Sequence, residues 1–311
     1  RYGERPEHHG RRRLVMNPVG LSNGFARAVV RPDLGAGLTS FDVLRRGGWT
    51  PVFRSVDPAT DHPFALSNIL LVPFSGRISG GGFTFEGVFH PVERTMPTEK
   101  YPIHGSGFSA EWTIAERTAE AVALSLDAEG PSPFRYSAVV TYRLDGAALV
   151  MDLSVTNRAA MALPYGLGFH PWFVRDRNTF LSAGADRVWL EHEDHLPRVV
   201  EPVSAHPDLD FNNRKRLRSR WVNNWFDGWD KRARIDWLDR GLAVEIEASD
   251  RLDRYVLFSP SGDADFFCFE PVSHPVDAFN LAEGPLAHGM ARLDPGATLE
   301  GSARFTILMT E

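Results

Sequence analysis

Two short stretches of this chain carry residue types that can move protons. The first is Phe266-Phe267-Cys268-Phe269-Glu270-Pro271-Val272-Ser273-His274-Pro275, a strand-like run with one carboxylate among aromatics. On an extended backbone Phe266, Cys268 and Glu270 share one side, and Phe267 and Phe269 the other. Apolar neighbours raise the pKa of a carboxylate and a nearby cation lowers it; either way Glu270 is a candidate general base. The second stretch is Gly166-Leu167-Gly168-Phe169-His170-Pro171-Trp172-Phe173. Pro171 biases His170 towards an extended backbone, and the two glycines permit close backbone approach. Histidine titrates near neutrality, so His170 is a candidate acid. If the fold unites the two around a small polar ligand, protons can move in opposite directions at once. A paired or exposed glutamate and a satisfied core histidine are the plain alternatives.

Three further residues fit a polar ligand. His104 lies in Tyr101-Pro102-Ile103-His104-Gly105-Ser106-Gly107-Phe108, where glycines make a tight loop that a ligand could approach. Arg77, in Pro73-Phe74-Ser75-Gly76-Arg77-Ile78, offers a fixed fork of donors suited to ring or hydroxyl oxygens. Trp172 presents an indole face that suits the C–H face of a sugar, although aromatics fill β cores without any ligand. A loop-bracing histidine and a surface salt-bridging arginine are the structural alternatives.

The elements that must position these residues read as strands. Leu149, Met151, Leu153 and Val155 alternate with Val150, Asp152, Ser154 and Thr156. The same period of two recurs at Leu242, Val244, Ile246 and Ala248, at Val122, Leu124 and Leu126, and at Phe305, Ile307 and Met309. Asp145-Gly146, Ser261-Gly262-Asp263 and Gly80-Gly81-Gly82 punctuate them as turns. The 22 prolines and 27 glycines disfavour long helices. The expected fold is all-β, a large antiparallel β-sandwich. A polar N-terminal arm is expected over residues 1–23, with Arg11-Arg12-Arg13 as a solvated basic spot, and one catalytic domain over 24–311. Residues from Glu191 to Asn224 are the least regular and are expected to form a long insertion or rim loop.

Composition narrows the class. A chain of 311 residues with 43% hydrophobic content can bury a sizeable core. Its net charge of -6 argues against a nucleic-acid surface. Cys268 is the single cysteine, so no intrachain disulfide forms and a reducing compartment fits. No apolar run is long enough to span a bilayer as a helix. The cytoplasm is the expected location, no membrane or nucleic-acid partner is expected, and the oligomeric state is open between monomer and homodimer.

Taken in order, Pro-Phe-Ser-Gly-Arg-Ile, His-Gly, Gly-Phe-His-Pro-Trp-Phe, Asn223-Asn224-Trp225-Phe226-Asp227-Gly228-Trp229-Asp230 and Phe-Cys-Phe-Glu-Pro-Val-Ser-His resemble the aldose 1-epimerases, the galactose mutarotase family. The likeness runs from about Gly24 to Phe305. It implies a β supersandwich with a sugar cleft on one concave sheet, and neither metal nor organic cofactor. It implies Glu270 as general base, His170 as general acid, His104 as an assisting histidine and Arg77 as a substrate contact. Two positions depart from the family pattern. Ser75-Gly76-Arg77 replaces the usual Ser-Asn-Arg. Asn223 stands where the family often has an aspartate that binds sugar hydroxyls, and an amide can donate as well as accept.

The resemblance implies exchange of the α and β anomers of a reducing monosaccharide, the small-molecule partner expected here. Three other readings stay open. The sugar could carry a phosphate or sulfonate, with Arg77, Lys100, Arg175 and the Arg214–Arg220 cluster as candidate cations. The chain could be a non-catalytic sugar-binding sandwich. His192-Glu193-Asp194-His195 could bind a metal, though it lacks the helical period of a zinc helix motif. Which of Trp225 and Trp229 lines a cleft is open as well.

Overall fold

The structure, a computed structural model, describes residues 18–57, 59–218 and 220–310. Two large antiparallel sheets dominate it, of eleven and nine strands, with two small two-stranded sheets beside them. The helical segments among the described residues are short 3-10 turns, as the proline and glycine content dictates. None is long and apolar enough to cross a membrane. The Arg11-Arg12-Arg13 cluster lies outside the described residues. The arm expected over 1–23 cannot reach that far, because Val19–Ser22 is already a strand, paired with Ala26–Arg31.

Alternation translates into burial. In Ala121–Glu129 and Ala148–Asn157 the apolar set faces inward and polar residues such as Asp127 and Asp152 face outward. Leu242, Val244 and Ile246 are buried while Glu245 and Glu247 are exposed. Met309 departs from this pattern: it ends its strand and is exposed. The two sheets pack face to face through aromatics. Phe305 of the nine-stranded sheet meets Phe53 edge-on at 5.5 Å. Trp237 packs beside Phe173 and donates its indole N–H to the carbonyl of Val174 at 2.8 Å.

The segment from Glu191 to Asn224 is more regular than expected. Pro197–Pro202 pairs with Arg187–Glu191 at the edge of the larger sheet, Lys215–Arg216 pairs with Thr179–Ala183, and Val222–Asp227 is an inner strand. Short edge strands bear polar residues on both faces, so they show little apolar alternation.

Within the larger sheet four strands lie side by side: Gly168–Val174, Phe266–Val272, Arg254–Ser259 and Val222–Asp227. Their inner face, with Phe169, Phe173, Phe267 and Phe269, belongs to the inter-sheet core. Their outer face carries a second apolar cluster that includes Trp172, Trp225, Val256 and Cys268. The strands are therefore buried on both sides.

Candidate active site

Strand register brings the two candidate proton carriers together. Gly168 pairs with Val272 and Trp172 with Cys268, which sets His170 across from Glu270 on the outer face. Their side chains meet, with Nε2 of His170 3.2 Å from Oε1 of Glu270. Both are nearly buried, at 8% and 3% exposure. Burial pushes the Glu270 carboxyl well above its usual range, with Arg77 opposing. Burial, aided by His104 and Arg54, pushes the His170 imidazole well down. Each group alone resists charge, so the close pair is built to hold one proton between them. Trp172 stacks on His170 at 3.9 Å and 18°, which fixes the imidazole plane.

His104 sits at a left-handed turn, with φ of 57°. It accepts a hydrogen bond at Nδ1 from the N–H of Gly76 (3.1 Å), while its own N–H donates to the carbonyl of Gly76. With Nδ1 an acceptor, the ring proton of neutral His104 resides on Nε2. Burial first, then Arg77 and His274, push its pKa down to about 3, so at neutral pH it is a hydrogen-bond donor and not an acid. Its ring lies 5.6 Å from that of His170. A neighbouring histidine secures this loop. His274 is fully buried, accepts from the N–H of Ser75 at Nε2 (3.1 Å) and donates from Nδ1 to the carbonyl of Pro275 (2.9 Å).

Glu270, His170, His104, Arg77, Asn223 and Trp172 all line one cavity of about 360 Å³, at the small end of ligand pockets. Arg77 reaches Glu99 at 3.3 Å. Asn223 donates to Oε2 of Glu191 at 2.6 Å, and the same carboxylate receives the indole N–H of Trp221 (2.8 Å) and contacts Nδ1 of His195 (2.9 Å). With one amide N–H so engaged, Asn223 keeps a second N–H as donor and its carbonyl oxygen as acceptor for a ligand, whereas an aspartate would only accept. Gly76 has φ of 68°, and a Cβ there would come within 2.3 Å of Val276 Cγ2. A larger residue at 76 therefore requires Val276 to move.

Trp225 lines the cavity, whereas Trp229 sits in the core with its indole N–H on the carbonyl of Arg232. Of the cations considered for an anionic sugar, Arg77 alone is among the lining residues. Lys100 pairs with Asp194, Arg214 with Asp236, and Arg218 and Arg220 with Asp208, while Arg175 donates to the carbonyl of Ser261. One lining cation escaped the sequence reading. Arg54 follows a buried Val52-Phe53 pair and has no motif around it. The signal was an arginine in an apolar, strand-like segment.

Metal chemistry has one geometric candidate among the described residues. His170, Cys268 and Glu270 place one ligand atom each within 4.8 Å of one another. Burial and the adjacent Glu270 push the Cys268 thiol well up, so it stays protonated, and a thiol is a poor ligand beside a thiolate. In His192-Glu193-Asp194-His195 the acid and base are otherwise engaged: Asp194 accepts from Tyr101 and Lys100, and His195 faces Glu191.

Comparison with known proteins places the fold and the family. The family model described as aldose 1-epimerase matches residues 19–306. The uncharacterized Escherichia coli K12 protein YphB is 32% identical over 269 residues, covering 81% of this chain and 90% of its own length. Another uncharacterized protein of that strain, YihR, is 26% identical and covers 70% and 73% respectively. A crystal structure of a candidate aldose 1-epimerase from Escherichia coli K12 superposes with a TM-score of 0.87 at 28% identity, covering 94% of this chain and 99% of that one. A galactose mutarotase-like protein from Clostridium acetobutylicum shares the fold, with a TM-score of 0.81 at 17% identity and coverage of 94% and 95%. With a family match over nearly its whole length and strands that superpose as well, the chain belongs to the aldose 1-epimerase family.

Proposed function

We propose that the protein interconverts the α and β anomers of a reducing aldose by acid–base ring opening and closure. The observation that carries this reading is the 3.2 Å contact between His170 and Glu270 on the wall of a sugar-sized cavity. O1 and O5 of a pyranose are both bonded to C1, so the groups serving them must themselves be neighbours. In the ionised form of the pair, the Glu270 carboxylate takes the proton from the C1 hydroxyl and Nε2–H of His170 gives one to O5. The C1–O5 bond breaks and C1 becomes an aldehyde. Rotation about C1–C2 presents the other carbonyl face. Closure then runs the transfers backwards, with protonated Glu270 as acid and neutral His170 as base. No net proton is consumed. His104 donates from Nε2 to a sugar oxygen, while Arg77 and Asn223 hold hydroxyls and Trp172 fixes the acid.

Anomer exchange followed by polarimetry or NMR tests this directly. Each positioned proton-transfer group commonly contributes ~10²–10⁴ in rate, so Glu270→Gln and His170→Asn should each lower kcat at least a hundredfold while the circular dichroism spectrum persists. Near-normal exchange in Glu270→Gln would remove it from the base role. Sugar binding without accelerated exchange by the unaltered protein would make the chain a binding module instead.

A further inference from the structure

Glu191 is a carboxylate that the reaction above does not use, yet it holds three residues of the cavity wall. It ends the strand Arg187–Glu191, where the pairing with Pro197–Pro202 shifts register between Leu190 and Glu191. Irregularities of this kind re-aim a side chain. Oε1 receives the indole N–H of Trp221 at 2.8 Å, while Oε2 receives Nδ2 of Asn223 at 2.6 Å and meets Nδ1 of His195 at 2.9 Å. Trp221, Asn223 and His195 line the cavity, and Glu191 is not among the lining residues. Trp221 and His195 also stack on each other, with ring centroids 5.5 Å apart. Among the described residues no lysine or arginine lies within 4.0 Å of Glu191, so its carboxylate is met by these nitrogen groups.

Donor chemistry fixes which way the Asn223 amide points. A carboxylate at neutral pH accepts and does not donate, so the nitrogen end of the amide must face it. The oxygen end then turns elsewhere, and among the described residues Oδ1 of Asn223 has no hydrogen-bond partner. Reversing the amide would set oxygen against oxygen. A carboxylate at position 223 would do the same with two full charges. Glu191 therefore dictates both the residue type that suits position 223 and the face that residue offers the cavity.

We propose that Glu191 is the positioning residue that aims Asn223 at the sugar, and that the two form a matched pair, carboxylate behind and amide in front, whose donor and acceptor roles can only be exchanged together. The pair rests on the proposed role of Asn223 in holding a hydroxyl. The wall so built takes an uncharged, hydroxyl-bearing part of the sugar, which donates to Oδ1 and accepts from the second N–H. Glu191 itself touches no substrate atom and takes no part in proton transfer.

The test exchanges the partners in the full chain. Glu191→Gln sets donor against donor at Asn223 as long as its oxygen keeps Trp221, and Asn223→Asp sets carboxylate against carboxylate. In the double variant the amide now at 191 donates to the carboxylate now at 223, and His195 accepts through its other tautomer. Anomer exchange is followed by NMR with whichever of glucose, galactose, mannose, xylose and glucose 6-phosphate the unaltered protein exchanges fastest. Each single variant should raise KM by about tenfold, the scale of one lost hydrogen bond. Its kcat should stay within about threefold, because His170 and Glu270 are untouched. The double variant should recover kcat/KM to within about threefold of the unaltered protein. A double variant no better than the worse single one overturns the proposal and leaves Glu191 as a brace for the rim; so does an unchanged KM in Asn223→Asp. In the unaltered protein, one side-chain N–H of Asn223 should resist solvent exchange by ¹H–¹⁵N NMR, and equally fast exchange of both overturns the proposal without any variant needing to fold. Anomer exchange with no coupling between 191 and 223 leaves the anomer-exchange reading standing and ends this one; exchange of none of these sugars ends both.

Discussion

A carboxyl and an imidazole in contact inside an apolar wall form one titrating unit. The unit is neutral with a single proton, carried either as carboxylic acid beside imidazole or as carboxylate beside imidazolium. A second proton leaves a buried cation, and loss of the only proton leaves a buried anion; burial opposes both. The signs follow from the two shifts. Glu270 is raised from 4.5, so losing the single proton is deferred to higher pH, and His170 is lowered from 6.5, so gaining a second is deferred to lower pH. The working form is therefore the broad middle state. The kcat/KM profile should stay level as pH falls through 6.5, with its acid limb well below that value; an acid limb at 6.5 would mean that His170 titrates as an exposed histidine does.

At the scale of elements, the strand bearing Glu270 was legible because alternation alone separates Cys268 and Glu270 from Phe267 and Phe269, and the two faces do enter different apolar clusters. His170 was legible through its proline. Arg54 was not, since nothing near it in the chain reveals that Trp172 and Phe266 will cover it. Nor was the role of Glu191, which gathers Asn223, Trp221 and His195 from different positions in the chain. Loop support was equally hidden. A Cβ on Gly166 would fall 2.1 Å from Cδ2 and 2.3 Å from Nε2 of His274, the nitrogen that receives the Ser75 N–H. Gly166→Ala should thus displace His274 and loosen the loop that carries Arg77. Overpacking of this kind costs ~1–3 kcal/mol. Urea unfolding should show that loss, and kcat/KM should fall with it; unchanged stability and activity would mean that the backbone yields freely there.

Over the whole molecule, the cavity-lining face and the sandwich core are opposite sides of the same strands. Phe173 packs against Phe305 of the other sheet, while Trp172 beside it stacks on His170. Phe305 is fully buried, and Phe305→Ala should cost ~3–5 kcal/mol by urea unfolding. Its effect on anomer exchange at temperatures well below unfolding should be small, because the main-chain ladder between Gly168–Val174 and Phe266–Val272 stands between that cavity and the pair. That ladder separates the placement of the pair from the shape of the cavity around it. Since hydrogen-bonded register sets the spacing of His170 and Glu270, substitutions at Gly76, Val276, Asn223 or Arg54 can reshape the cavity while leaving that spacing in place.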